Sequence, residues 1–185
     1  MRPTIIARAR TSASPIFSHA SSSAGRRASF NKDKRAQRAT LKAAGEARVE
    51  ALLTEVGLED RPHTTDVSLS PDENTLYVAG NMEQGFVRKY AIAEDGSVSE
   101  GTLFLDKVTV PDGMAVDCAG NLYVTEHTNK RVRIVSPEGK PLAEIKGMDQ
   151  NVTNVAFGGA EHKTLFITTT GRLFQVEMPI PGMPY

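Results

Sequence analysis

One short signature recurs at near-constant spacing and limits what this chain can fold into. A leucine, an aromatic and a β-branched residue stand together as Leu76-Tyr77-Val78, Leu122-Tyr123-Val124 and Leu165-Phe166-Ile167. The first two leucines are 46 positions apart and the next two 43. Around each signature the order of period-two runs and turns repeats. DVSLS (66–70) precedes a Pro71-Asp72-Glu73-Asn74 turn, and TLYVAG (75–80), GFVRKYAIA (85–93) and SVSEGTLFL (97–105) follow. In the second copy GMAVD (113–117) turns at Cys118-Ala119-Gly120-Asn121 into LYVTE (122–126), KRVRIVS (130–136) and PLAEIKG (141–147). The third runs through TNVAF (153–157), TLFITT (164–169) and RLFQVEM (172–178). A four-strand unit repeating every 40–50 residues marks a β-propeller blade, since each unit leaves an apolar face that only a neighbour can cover. The predicted blades span roughly 64–106, 112–147 and 152–179.

The third copy has no fourth strand of its own. Its tail, MPIPGMPY, holds three prolines in eight residues and pairs poorly. Closed rings borrow such a strand from the other chain end, yet residues 1–60 show no convincing candidate. A closed ring typically takes four to eight blades, against about three here. The expectation is therefore a fragment that is truncated and inactive alone, half of a ring completed by a second copy, or an array that something else completes.

The N-terminal third is a different kind of sequence. Residues 1–40 carry seven Arg and two Lys against one acid, Asp33, although the whole chain balances at 22 bases and 22 acids. Residues 1–33 read as a disordered basic segment, because their composition cannot bury enough apolar surface to fold. The Ser- and Arg-rich, acid-poor stretch 1–31 also matches a mitochondrial transit peptide. Residues 34–58 read as a helix, with Leu41, Val49, Leu52, Leu53 and Val56 along one stripe. Gly45 weakens its middle by about 1 kcal/mol, and Gly57 suits its end.

Several function classes recede. The balanced charge gives no ground for nucleic-acid binding, and no apolar run approaches the roughly 18 residues that span a bilayer. The lone Cys118 excludes an internal disulfide. With no base beside it, it reads as a small, partly buried residue rather than a nucleophile. Gly120, Gly158 and Gly159 read as turn formers, because none opens a helix after a strand as a phosphate loop requires. His63 reads as a linker residue.

The strings PDGMAVDCAGNLYVTEH (111–127), VRIVSPEGKPLAEI (132–145) and TNVAFGGAEHKTLFIT (153–168) resemble the gluconolactonase/regucalcin-like (senescence marker protein-type) family of six-bladed propellers. SLSPDENTLYV (68–78) fits one blade earlier, so the resemblance covers about residues 64–185. It implies part of a six-bladed propeller; with the composition of the N-terminal third, the expected fold is all-β, a partial six-bladed propeller of about three blades behind a disordered and helical segment. The resemblance also implies hydrolysis of a small lactone with one divalent cation, often calcium. A hard cation prefers oxygen ligands, polarises a carbonyl and lowers the pKa of bound water. The aspartate of the DGM motif, here Asp112, is implied as metal ligand and as general base. The family's asparagine ligand aligns with Thr65, whose hydroxyl is a weaker donor, and the family's glutamate ligand has no counterpart.

Asn154 and His127 are candidates for lining the channel, with Asn129 beside His127; the plainer readings are backbone satisfaction for Asn154 and a solvated turn for the other two. A non-catalytic binding propeller is the alternative function. The expected compartment is the cytoplasm, or the mitochondrion if residues 1–31 are a transit peptide. In the latter case the mature protein in cells lacks that stretch, and N-terminal sequencing that finds it intact rules the assignment out.

Overall fold

The structure is a computed structural model that describes residues 3–6, 8–9, 64–81 and 84–183. All the regular structure among them is β. The helix expected over 34–58 lies outside the described residues, as does His63. The first sheet is a meander of β3 (Thr64–Leu69), β4 (Thr75–Asn81), β5 (Gly85–Ala91) and β6 (Thr102–Leu105). The second holds β7 (Pro111–Val116), β8 (Leu122–Glu126), β9 (Arg131–Val135) and β10 (Pro141–Lys146). The third holds β11 (Val152–Gly158), β12 (Thr164–Thr169) and β13 (Leu173–Glu177). The strands fall within about two residues of where the repeat placed them, β7 starting at Pro111 rather than Gly113, except that β6 starts at Thr102. Residues 97–101 before it form no strand beyond one isolated bridge between Ile92 and Val98.

The Leu–aromatic–β-branched signature has a direct packing cause. Adjacent strand residues point to opposite faces. Leu122 therefore enters the layer between the first and second sheets, with Tyr77, Ala79, Val87, Val108, Met114 and Val124. Its neighbour Tyr123 enters the layer between the second and third, with Val132, Ile134, Val155, Leu165 and Ile167. Each layer also holds an aromatic pair. Tyr77 lies 5.1 Å from Phe104, and Tyr123 meets Phe157 edge-on at the same distance. Each fully buried leucine stabilises its layer by roughly 1.5–3 kcal/mol.

The N-terminal strands change one expectation. β1 (Thr4–Ile6) runs parallel to β10 and adds a fifth strand to the second sheet. β2 (Arg8–Ala9) pairs antiparallel with β13, placing Ala9 opposite Phe174 and Arg8 opposite Gln175. The third sheet thus obtains its fourth strand from within residues 1–60, in the stretch read as disordered. Two paired residues are too few to leave a periodicity in sequence. The proline-rich tail does not form a strand. Gly182 makes a bridge to Asp117 and donates its amide to His162, and the Cys118 amide donates to Pro181. Cys118 is exposed rather than partly buried, with its Sγ 3.3 Å from the Gly182 carbonyl.

The turn after β7 is pinned by Asp117, which is fully buried. Its carboxylate accepts from the amides of Ala119 and Asn121 at 3.0 and 2.9 Å, from Asn121 Nδ2 at 2.9 Å and from the Tyr123 hydroxyl at 3.1 Å. Burial, then the Asp117 charge and hydrogen bond, hold the Tyr123 hydroxyl above its ordinary value. A group whose folded pKa is raised contributes stability that is fully present below its unfolded value, about 10 for Tyr, and is lost as pH rises through the folded value. Tyr123→Phe should cost about 1.5–3 kcal/mol at neutral pH, the range for a hydrogen bond to a charged acceptor. Above about pH 10 the wild type should lose stability more steeply than the variant. Urea unfolding at pH 7 and pH 11 checks both.

Candidate functional site

The first strands of the three sheets, β3, β7 and β11, pack beside one another, and each is interrupted at the same place. In β3 the register jumps from Thr64 opposite Gly80 to Asp66 opposite Ala79. In β7 it jumps from Pro111 opposite Glu126 to Met114 opposite Val124. In β11 it jumps from Val152 opposite Thr169 to Asn154 opposite Thr168. A bulge places extra residues against its partner strand and re-aims their side chains. Aligned on their partners, Thr65, Asp112 and Thr153 are equivalent. So are Asp66, Gly113 and Asn154, and so are Val67, Met114 and Val155.

The bulges gather most of the candidates named from sequence. Asp112 is half-buried, and Thr65 and Asn154 are exposed. Asn154 closes on the Asp112 turn from the third sheet. A side chain at Gly113 would overlap its amide and fall within 2.7 Å of its Cα. The Asn154 Oδ1 accepts from the Val155 amide at 2.7 Å. His127 reaches the same end of the sheets through its backbone. Its amide donates to Val110 at 3.1 Å, and its carbonyl accepts from Val152 at 3.3 Å. Val110, just before Pro111, has φ of 48°. A β-branched residue in that region stores of order 1–3 kcal/mol of strain, here at the entry to the Asp112 strand. The Asn129 side chain turns away, donating at 2.6 Å to Glu126.

Two residues of this end were missed in sequence. Asp66 is partly buried; its Oδ1 accepts from the Val67 amide at 2.8 Å and its Oδ2 from the Met114 amide at 2.5 Å. Burial raises its carboxyl above the ordinary value. The Met114 and Val67 amides pull it down, and the Asp112 charge adds to the rise. Its signal was its position beside Thr65, matching Asn154 in the repeat. Glu126 is fully buried, opposite Pro111. It pairs with Arg131 at 2.7 Å and Arg133 at 3.2 Å, and Arg131 reaches on to Glu144 at 2.9 Å. Nothing in the local pattern distinguishes Glu126 from a solvated strand-end acid.

The Asp112 carboxylate, by contrast, has no hydrogen-bond partner among the described residues. No group of three His, Cys, Asp or Glu that could hold a metal occurs among them either. Asp112, the Thr65 hydroxyl and the Asn154 amide are all oxygen donors, which suits a hard cation in kind. They fall short of the six to eight oxygens that calcium takes. A cavity of about 350 Å³ lies at the opposite end of the strands, between Ser70, Asp72, Lys89, Cys118 and Pro137, away from these carboxylates. The tight fit at Gly113 gives a test. Gly113→Ala should destabilise the protein by about 1–3 kcal/mol, the usual cost of overpacking, measured by urea unfolding.

The comparisons with known proteins agree with this architecture. A family model described as SMP-30/Gluconolactonase/LRE-like region matches residues 30–171. The 6-deoxy-6-sulfogluconolactonase of Pseudomonas putida is 32% identical over 108 residues, covering 56% of this chain and 37% of the relative. The gluconolactonase of Zymomonas mobilis is 31% identical over 135 residues, covering 67% and 36%. A gluconolactonase structure from Xanthomonas campestris aligns with a TM-score of 0.53 at 26% identity, covering 65% of this chain and 38% of that one. A calcium-binding regucalcin from Agrobacterium tumefaciens aligns with a TM-score of 0.59 at 17% identity, covering 65% and 48%, a likeness of fold. The chain spans about two fifths of the length of the curated relatives it matches. With its family model matched across most of its length, the chain belongs to the SMP-30/gluconolactonase/LRE-like family.

Proposed function

We propose that this protein hydrolyses a small sugar-type lactone, with Asp112 as the reacting carboxylate. The observation that carries this reading is the contrast among the acids. Glu126, Asp117 and Asp66 have their oxygens engaged by partners. Asp112 sits at the bulge of the middle strand, half-buried and without a hydrogen-bond partner among the described residues. A carboxylate so placed can accept a proton from a water molecule. The water oxygen then bonds to the lactone carbonyl carbon, and the ring C–O bond breaks. The freed ring oxygen takes up the proton that Asp112 received, which leaves an open hydroxy acid and restores the carboxylate.

The names of the relatives support the lactone as substrate class. A divalent cation, calcium by resemblance, would be held by Asp112 with weaker help from Thr65, and further oxygen ligands would come from outside the described residues. When bound it supplies carbonyl polarisation and a lowered water pKa. Asn154 and the His127 loop would border the lactone. The three sheets would serve as consecutive blades of a six-bladed ring that two copies close.

A non-catalytic binding propeller is the second reading. It is favoured by the threonine at position 65, a neutral hydroxyl where a carbonyl ligand would bind more strongly. Calcium and manganese titration beside a lactone-hydrolysis assay separates the two. Asp112→Ala should abolish turnover, a loss of at least about 100-fold as expected for a general base, and should weaken metal binding. Well-folded wild-type protein with neither metal binding nor turnover would leave the binding module as the reading. Mass measurement in solution reports whether two copies pair.

A further inference from the structure

Three equivalent amides face the bulges, those of Val67, Met114 and Val155. In the first and third sheets each is met by the side chain just before it. Val67 donates to Asp66 at 2.8 Å, and Val155 donates to Asn154 at 2.7 Å. In the second sheet the preceding residue is Gly113, which has no side chain to offer. Glycine is required there, because a Cβ would overlap Asn154 arriving from the third sheet. The Met114 amide would therefore be left without the partner its counterparts have, and a buried donor without an acceptor is destabilising.

Asp66 removes that cost from a different sheet. Its second oxygen crosses 48 positions of sequence to accept the Met114 amide at 2.5 Å. One carboxylate thus bridges Val67 and Met114, the equivalent amides of two neighbouring sheets. On the far side of the same turn the Gly113 amide donates to Thr125 Oγ1 at 2.8 Å. The two residues that follow Asp112 are held in this way, one by Thr125 and one by Asp66.

We infer that Asp66 is a positioning residue for Asp112: by accepting the Met114 amide from the neighbouring sheet, it fixes the backbone turn that aims the Asp112 carboxylate. The inference rests on the reading of Asp112 as the reacting group. Only a carboxylate suits the place. Asparagine offers one acceptor oxygen and would set its NH₂ group against the other amide. Asp66→Asn should therefore fail nearly as fully as Asp66→Ala, despite its near-identical shape.

The test combines NMR and kinetics on the full chain. In the unmutated protein a scalar coupling across the hydrogen bond should link the Met114 amide nitrogen to the Asp66 carboxyl carbon, and its absence overturns the inference whether or not any variant folds. In Asp66→Asn, hydrogen exchange at the Met114 amide should rise by at least about tenfold, as expected when a local bond is lost without global unfolding. Exchange at Val155 should stay as it was. For lactone hydrolysis, kcat should fall by about tenfold or more with KM nearly unchanged, the mark of a group that acts on the transition state. Faster exchange at Met114 with unchanged kcat would make Asp66 merely structural and overturn the inference. If the wild type does not hydrolyse lactones, that failure belongs to the functional reading alone. The inference is then decided by the Asp112 resonances, which must move in Asp66→Asn; if they stay in place, it is overturned.

Discussion

The three described sheets stack face to face, and burial of their facing surfaces against one another is the interaction on which the rest depends. Val87, Leu122 and Val124 are at 0% exposure in the first layer, and Val132, Leu165 and Ile167 are at 0% in the second. At about 25 cal/mol per Å² of apolar surface, no hydrogen bond between the sheets competes with this term. It also brings β3, β7 and β11 side by side, and so creates the place where the bulges meet. A core substitution such as Leu122→Ala would act on the site through this layer.

Packing alone would give three regular strands with nothing aimed outward. The bulges break that regularity at one level, and the extra residues cannot be satisfied by the ladder. What meets them differs by sheet: Asp66, Asn154 and the Thr125 hydroxyl each take an amide. These local substitutes for ladder bonds are polar side chains, so the end of the sheets that carries the bulges is necessarily rich in oxygen. The chemistry proposed for the site thus follows from a backbone requirement.

The architecture was legible in sequence because its cause is periodic. Leu76, Leu122 and Leu165 must recur if each unit is to fill the layer beside it, and a one-residue slip would reverse the faces of the strand. The added strand Arg8–Ala9 was not legible, since two paired residues are too few to leave a periodic pattern in sequence. The candidate site was legible in part: Asp112 and Asn154 stand in motifs, and Asn154 packs against Gly113, the residue next to Asp112. Asp66 escaped because its role spans two sheets, and Glu126 because its arginine partners become partners only when β8 and β9 align. The sequence showed which residues repeat; it did not show which exceptions to the repeat compensate one another.

Those exceptions explain how four acids on and beside β3, β7 and β8 avoid defeating the fold. Burying a carboxylate costs several kcal/mol unless partners replace its water. Glu126 meets that demand with two arginines and Asn129. Asp117 meets it with two amides, an Asn and a tyrosine. Asp66 meets it with two amides from different sheets. Each arrangement holds the backbone as well as the charge: the Glu126 cluster braces the strand opposite Pro111, and Asp66 braces Met114. Asp112 lies between these two braces, and its own carboxylate bears no structural bond among the described residues. Because its neighbours hold the turn, Asp112 does not have to, and this leaves its oxygens unengaged among the described residues, as the role proposed for them requires.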